Sequence, residues 1–183
     1  MKKNSVRHMA LLGILAALST LLVVLGSLIS VNTIFFTALA AFLLGIVLLI
    51  SPKGQGIVFF LVCLALDFFL NPNKLHVFLY LGLGGYILLA ELTYEGLKKK
   101  VEGKRLENLH RALRLVIFLL GFLPIFFFLP DLLLAQTRVA EFQDQVWFEL
   151  AAVVAGVVFW AIYDLAYGIF KREFYKRFHD VVK

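Results

Sequence analysis

Lys98-Lys99-Lys100-Val101-Glu102-Gly103-Lys104-Arg105, with Arg111 and Arg114 close behind, sets seven cations between long apolar runs. A basic block beside membrane spans stays on the cytoplasmic side, so this one predicts which way every neighbouring run points. The runs cover residues 9–30, 33–50, 56–70, 75–92, 112–134 and 146–170. A helix needs roughly 20 residues, at 1.5 Å each, to cross the hydrocarbon core. The first, fifth and sixth runs meet that. The third is short, bounded by Pro52, Gly54 and Gly56 before it and by Asn71-Pro72-Asn73 after it. Length alone would allow it to re-enter rather than cross.

Charge decides for a crossing. With six spans and the N-terminus inside, the cytoplasmic segments hold Lys2, Lys3, Arg7, Lys53, the central cluster, Lys171, Arg172, Lys176, Arg177 and Lys183. That is 16 of the 18 Lys and Arg; only Lys74 and Arg138 fall outside. If the third run did not cross, the central cluster would face away from the N-terminus and the asymmetry would collapse. The expectation is an all-α, six-transmembrane-helix bundle, one domain over residues 1–183, with both termini cytoplasmic.

Composition agrees. Of 183 residues, 62% are hydrophobic and 16% charged, with a mean hydropathy of +0.92; soluble domains run nearer half apolar and a quarter charged. The net charge of +6 sits at span ends, where it reads as topology and lipid-headgroup contact rather than nucleic-acid binding. Cys63 is alone, and His8, His76, His110 and His179 are scattered. That spacing suits neither a disulfide framework nor a zinc or iron–sulfur site. No phosphate-cradling loop or Ser–His pair emerges, so neither an enzyme nor a cofactor is expected. Met1-Lys2-Lys3 before an apolar stretch mimics a secretory signal, but the stretch is too long, and a retained first span is expected.

Small residues three or four apart mark helix contact faces in membranes. Span one carries Ala10, Gly13, Ala17 and Thr20; span two carries Thr37, Ala41 and Gly45; span six carries Ala152 and Gly156. For spans two and six the expectation is packing within the protein's own bundle. The opening from Ser5 to Thr20, Ser-Val-Arg-His-Met-Ala-Leu-Leu-Gly-Ile-Leu-Ala-Ala-Leu-Ser-Thr, resembles the start of substrate-binding (S) components of energy-coupling factor transporters. Residues 38–56, with Leu44-Gly45 and Gly54-Gln55-Gly56, extend the likeness over about the first 95 residues. The resemblance implies a six-helix binder of a vitamin or micronutrient in a bacterial plasma membrane. It also implies that the face of Ala10, Gly13, Ala17 and Thr20 meets a transmembrane coupling subunit served by ATPases. The later helices carry no vitamin-specific set, so the ligand stays open. Asn71-Pro72-Asn73-Lys74-Leu75, Tyr80 and Gly84-Gly85-Tyr86 also look like a group of small bacterial membrane proteins. Leu66-Asp67-Phe68-Phe69 resembles the third helix of rod-shape protein D, a non-transporting membrane scaffold, which is the alternative reading.

Ionisable residues within spans are costly, ~2.5–3.5 kcal/mol at the centre on insertion scales, and normally face protein or water. Asp164 is expected to point inward, either as a coupling site or as a partner for Tyr, Trp, Arg7 or Arg114. Glu91 is expected to snorkel at the inner interface. On the outer side, Asn32, Asp67, Asn71, Tyr80, Trp147 and Glu149 are the candidate substrate-binding residues, with Thr33, Thr37 and His76 beside them. A few polar groups in an apolar cleft suit a small molecule, and two carboxylates with Trp and Tyr suit a cationic or aromatic one. Taken singly, the same residues read as interfacial anchors and turn formers. The segment 131–145 suits a short helix on the outer face, and 96–110 an interfacial helix broken at Gly103.

Overall fold

Prolines, and the helix propensity of charged residues beyond the apolar runs, set where several of these helices end. The computed structural model describes residues 2–29, 32–128 and 146–177. They form six helices, with no strand among the described residues: α1 (Lys2–Leu28), α2 (Thr33–Ile50), α3 (Lys53–Leu70), α4 (Leu75–Lys98), α5 (Lys104–Phe128) and α6 (Val146–Arg177). Five of them are long and apolar enough to cross a membrane: α1 to α4, and α6 over Val153–Arg177. Large apolar side chains such as Met9, Ile14, Phe35, Phe69 and Ile162 stand exposed along them. That is costly in water and ordinary in lipid. The chain is a membrane-embedded helical protein.

The apolar runs match the helices closely, and α2 coincides with the expected 33–50. Elsewhere the helices outrun the apolar stretch: α4 continues through Glu95 and Lys98, and α6 through Lys171 to Arg177. Glu, Lys and Arg are good helix formers, so the backbone keeps winding after hydrophobicity stops. α3 gains a turn at its start and reaches 18 residues, about 27 Å of helix. α5 starts within the basic block and carries Pro124, which cannot donate to the helix ladder. Residues 129–134, the rest of the fifth run, lie outside the described residues, as does the expected surface helix in 131–145. No separate interfacial helix forms over 96–110; α4 and α5 take up its two halves, joined at Gly103. That glycine has φ +67, a left-handed conformation that costs other residues about 1 kcal/mol or more.

The contacts divide the chain into two compact units, residues 1–88 with 170–183, and residues 89–169. In the first, α1 packs on α2 and α3, and α2 on α3. Gly26 allows the α1–α2 corner: a Cβ there would sit 3.1 Å from Phe36 Cβ and 3.3 Å from the Thr33 carbonyl. Across that corner, Thr33 Oγ1 donates to the Gly26 carbonyl at 2.7 Å. Pro52 ends α2 and opens α3, while Lys53 Nζ donates to the Leu48 carbonyl at 2.9 Å. His8 Nε2 meets Gln55 Oε1 at 2.9 Å and Ser51 Oγ at 3.0 Å, tying α1 to the α2–α3 turn. The stripe Thr37, Ala41 and Gly45 is buried, as its spacing predicts.

The second unit holds its own polar network. Arg114 pairs with Asp164 at 2.6 Å, one of the partnerships the sequence allows. Glu91 does not snorkel. It is only 7% exposed and accepts from the Tyr167 hydroxyl at 3.0 Å. His110 meets the Ala90 carbonyl at 3.0 Å, and its ring lies 4.9 Å from that of Tyr94. Phe118, Phe122, Phe159 and Tyr163 stack between α5 and α6, where Gly156 faces Phe122.

Candidate functional site

The short turn between α3 and α4 builds the site. Pro72 forces the residue before it out of the helical region, so α3 ends at Leu70, and Asn71 is extended at φ −75, ψ 126. The Asn71 N–H still donates to the Asp67 carbonyl at 2.9 Å, which holds Asn71 one turn beyond Asp67 on the same face. Asn71 Oδ1 accepts the Asn73 N–H at 3.1 Å, an Asx turn. Asn73 Oδ1 in turn accepts the Leu75 N–H at 3.1 Å and caps α4. Lys74 Nζ donates to the carbonyls of Phe68 and Asn71, the latter at 3.0 Å. A cation at a helix C-terminus favours the dipole.

Within this frame a polar cluster lies buried among apolar side chains. Asp67 is 0% exposed, Asn71 1% and Thr20 4%. Cys63 stands one turn before Asp67 on α3 and lies beside Tyr80 of α4 and Ser19 of α1. Ser19 Oγ reaches the Tyr80 hydroxyl at 3.5 Å and the Ala40 carbonyl at 3.4 Å, both long. The Tyr80 ring lies 5.7 Å from Phe60 of α3.

What sets the cluster apart is its missing hydrogen bonds. Neither Asp67 oxygen makes a hydrogen bond of good geometry, and Thr20 Oγ1, Asn71 Nδ2 and His76 Nδ1 are also buried without such a bond. Thr20 stands beside the Asp67 carboxyl, but the pair does not form a well-aligned hydrogen bond. Buried polar groups are nearly always satisfied, and each exception calls for an explanation such as a ligand, water or ion. Among the described residues, no group of three or more His, Cys, Asp and Glu could hold a metal ion.

Of the six candidate residues, Asp67, Asn71 and Tyr80 share this cluster. Asn32 is exposed ahead of α2, and its side chain makes no cap hydrogen bond. Trp147 belongs to the second unit and is 80% exposed. Glu149 lies on α6, and its side chain is outside the described residues. Thr33 and Thr37 are used structurally, Thr37 Oγ1 donating to the Thr33 carbonyl at 2.8 Å. Ser19 and Cys63 belong to the cluster but escaped the sequence reading, and Thr20 counted there only as a small residue. The adjacent hydroxyls Ser19-Thr20 in an apolar run, and a thiol four residues before Asp67, were the available signals.

On α1, Ala10, Gly13 and Ala17 are exposed and Thr20 is buried; nothing lies within 4 Å of a Cβ built on Gly13. The expected contact stripe therefore splits, three residues facing outward and one turned into the polar cluster. No family model, curated protein or solved structure matches the chain.

Proposed function

We propose that this chain is a solute-binding membrane protein of the S-component kind. It takes a small molecule, of the vitamin or micronutrient class, from the outer face of a bacterial plasma membrane. Six crossings with both termini cytoplasmic complete the reading. Five spanning helices, the apolar stretch of α5 that the sequence extends to Leu134, and the one-sided placement of 16 of 18 cations support it. The carrying observation is the cluster of Asp67, Asn71 and Thr20, buried with its hydrogen bonds unmade inside an apolar helical unit. A buried carboxylate calls for a hydrogen-bonding partner, and a solute's donor would supply one here. With α1 starting inside, Asp67 and Asn71 come at the outer end of α3, where a solute arriving from outside would reach them.

The open face of Ala10, Gly13 and Ala17 supports docking on a transmembrane coupling subunit, since small residues let helix backbones approach. Hydrolysis of ATP would belong to that module's ATPases. Gentle purification followed by mass spectrometry tests the proposal: a retained small molecule and co-purifying coupling subunits are expected. Gly13→Leu or Ala17→Leu should leave a folded protein that no longer co-purifies with those subunits. Retention of cell-elongation proteins, with no small molecule, would favour the scaffold reading instead.

A further inference from the structure

The Asp67 site makes two opposite demands one helical turn apart. An ionised carboxylate only accepts hydrogen bonds, and neither Asp67 oxygen makes a well-formed one, the neighbouring Thr20 hydroxyl included. Lys74, the nearby cation in sequence, is committed to the α3 carbonyls. The Asn71 amide makes the reverse demand. Its oxygen is fixed by the Asn73 N–H at 3.1 Å, and a backbone N–H can only donate, so the amide's orientation is not arbitrary. The buried, unpartnered atom is therefore Nδ2, a donor in want of an acceptor. Residues four apart are separated by about 6 Å along a helix. A bare metal ion would meet the carboxylate but confront the amide hydrogens.

We propose that this site takes a small organic ammonium compound that also carries a hydrogen-bond acceptor. Its ammonium group sits on Asp67 and its acceptor on Asn71 Nδ2, with the Thr20 hydroxyl free to bond either. The inference rests on the solute-binding reading above and names the chemical class of its ligand. Cys63 and Tyr80 lie near the Asp67 carboxyl, with Ser19 close to both.

The test uses the full chain in lipid nanodiscs and three probes: β-alaninamide, which carries both features, propylamine, with only the ammonium, and propionamide, with only the amide. β-Alaninamide should bind at least tenfold tighter than either half. Asp67→Asn, close to isosteric, should lose at least tenfold for β-alaninamide while its propionamide affinity is unchanged. Asn71→Asp keeps the oxygen that accepts from Asn73 and should erase the preference for β-alaninamide over propylamine. An unaltered thermal transition establishes that each variant is folded. Equal affinities for the three probes, absence of binding, or an Asp67→Asn protein that binds β-alaninamide as tightly as wild type would overturn the proposal. Mass spectrometry of gently purified wild-type and Asp67→Asn proteins separates the two levels. A retained compound lacking an amine, present in both, would sink this ligand class and leave solute binding standing.

Discussion

Asp67 and Asp164 face the same problem, a carboxylate within an apolar helix, and the protein treats them in opposite ways. Asp164 is paired with Arg114 at 2.6 Å; Asp67 is fully buried with no well-formed hydrogen bond. An unsatisfied buried polar group costs about 1–3 kcal/mol, and replacing it with an apolar group of similar shape recovers that. Asp67→Leu should therefore raise thermal stability in detergent while losing ligand. A large fall would mean that the carboxylate holds the fold together. The cost of both residues was legible in the sequence, and Arg114 was among the partners it allowed Asp164; choosing it over Arg7, Tyr or Trp took the packing, because Arg114 lies fifty positions away. His110 offers a pH test. Burial pulls its ring below the usual imidazole value, so the folded state binds its proton less readily than the unfolded chain. The stability this provides is present above the ordinary value, roughly pH 6.5, and is lost as pH falls through the folded one. Thermal melts at pH 7 and pH 5 should show a smaller acid loss in His110→Gln than in wild type.

Helix α1 carries two glycines with opposite surroundings. Gly13 has open space around it, whereas Gly26 is hemmed in by Phe36 Cβ and the Thr33 carbonyl, neither of which can rotate away. Overpacking a tight contact typically costs about 1–3 kcal/mol. Gly26→Leu should lower the thermal midpoint of the purified protein, while Gly13→Leu should leave it unchanged; equal effects would mean that the Gly13 face is covered. Apolar runs located the six described helices because a span is a local property of about 20 residues. What it could not give was the environment of each face. Ala10, Gly13, Ala17 and Thr20 form one stripe by spacing, yet Thr20 turns into the cluster of Asp67 and the others do not. Glu91 misled for a similar reason. Its position near the C-terminal end of α4 suggested snorkelling, but Tyr167, a donor 76 positions away, holds it inside.

For the molecule as a whole, orientation follows from a sum that no single element carries. Each crossing moves the chain to the other side, so only an even count between Arg7 and the Lys98–Arg114 cluster keeps both on one face. α3 is the helix on which that parity turns, and its 18 residues are close to the shortest that span. Cysteine labelling can read the parity directly, because the native Cys63 is completely buried and should stay silent. Pro72 and Glu102 are both exposed, on opposite sides of α4 in the chain. With a membrane-impermeant maleimide on intact spheroplasts, Pro72→Cys should label and Glu102→Cys should not until the membrane is opened. Labelling of Glu102→Cys from outside would put the basic block there, reverse the sense of α4, and leave Asp67 and Asn71 facing the cytoplasm. The site's chemistry would survive that result, but uptake from the outer face would not.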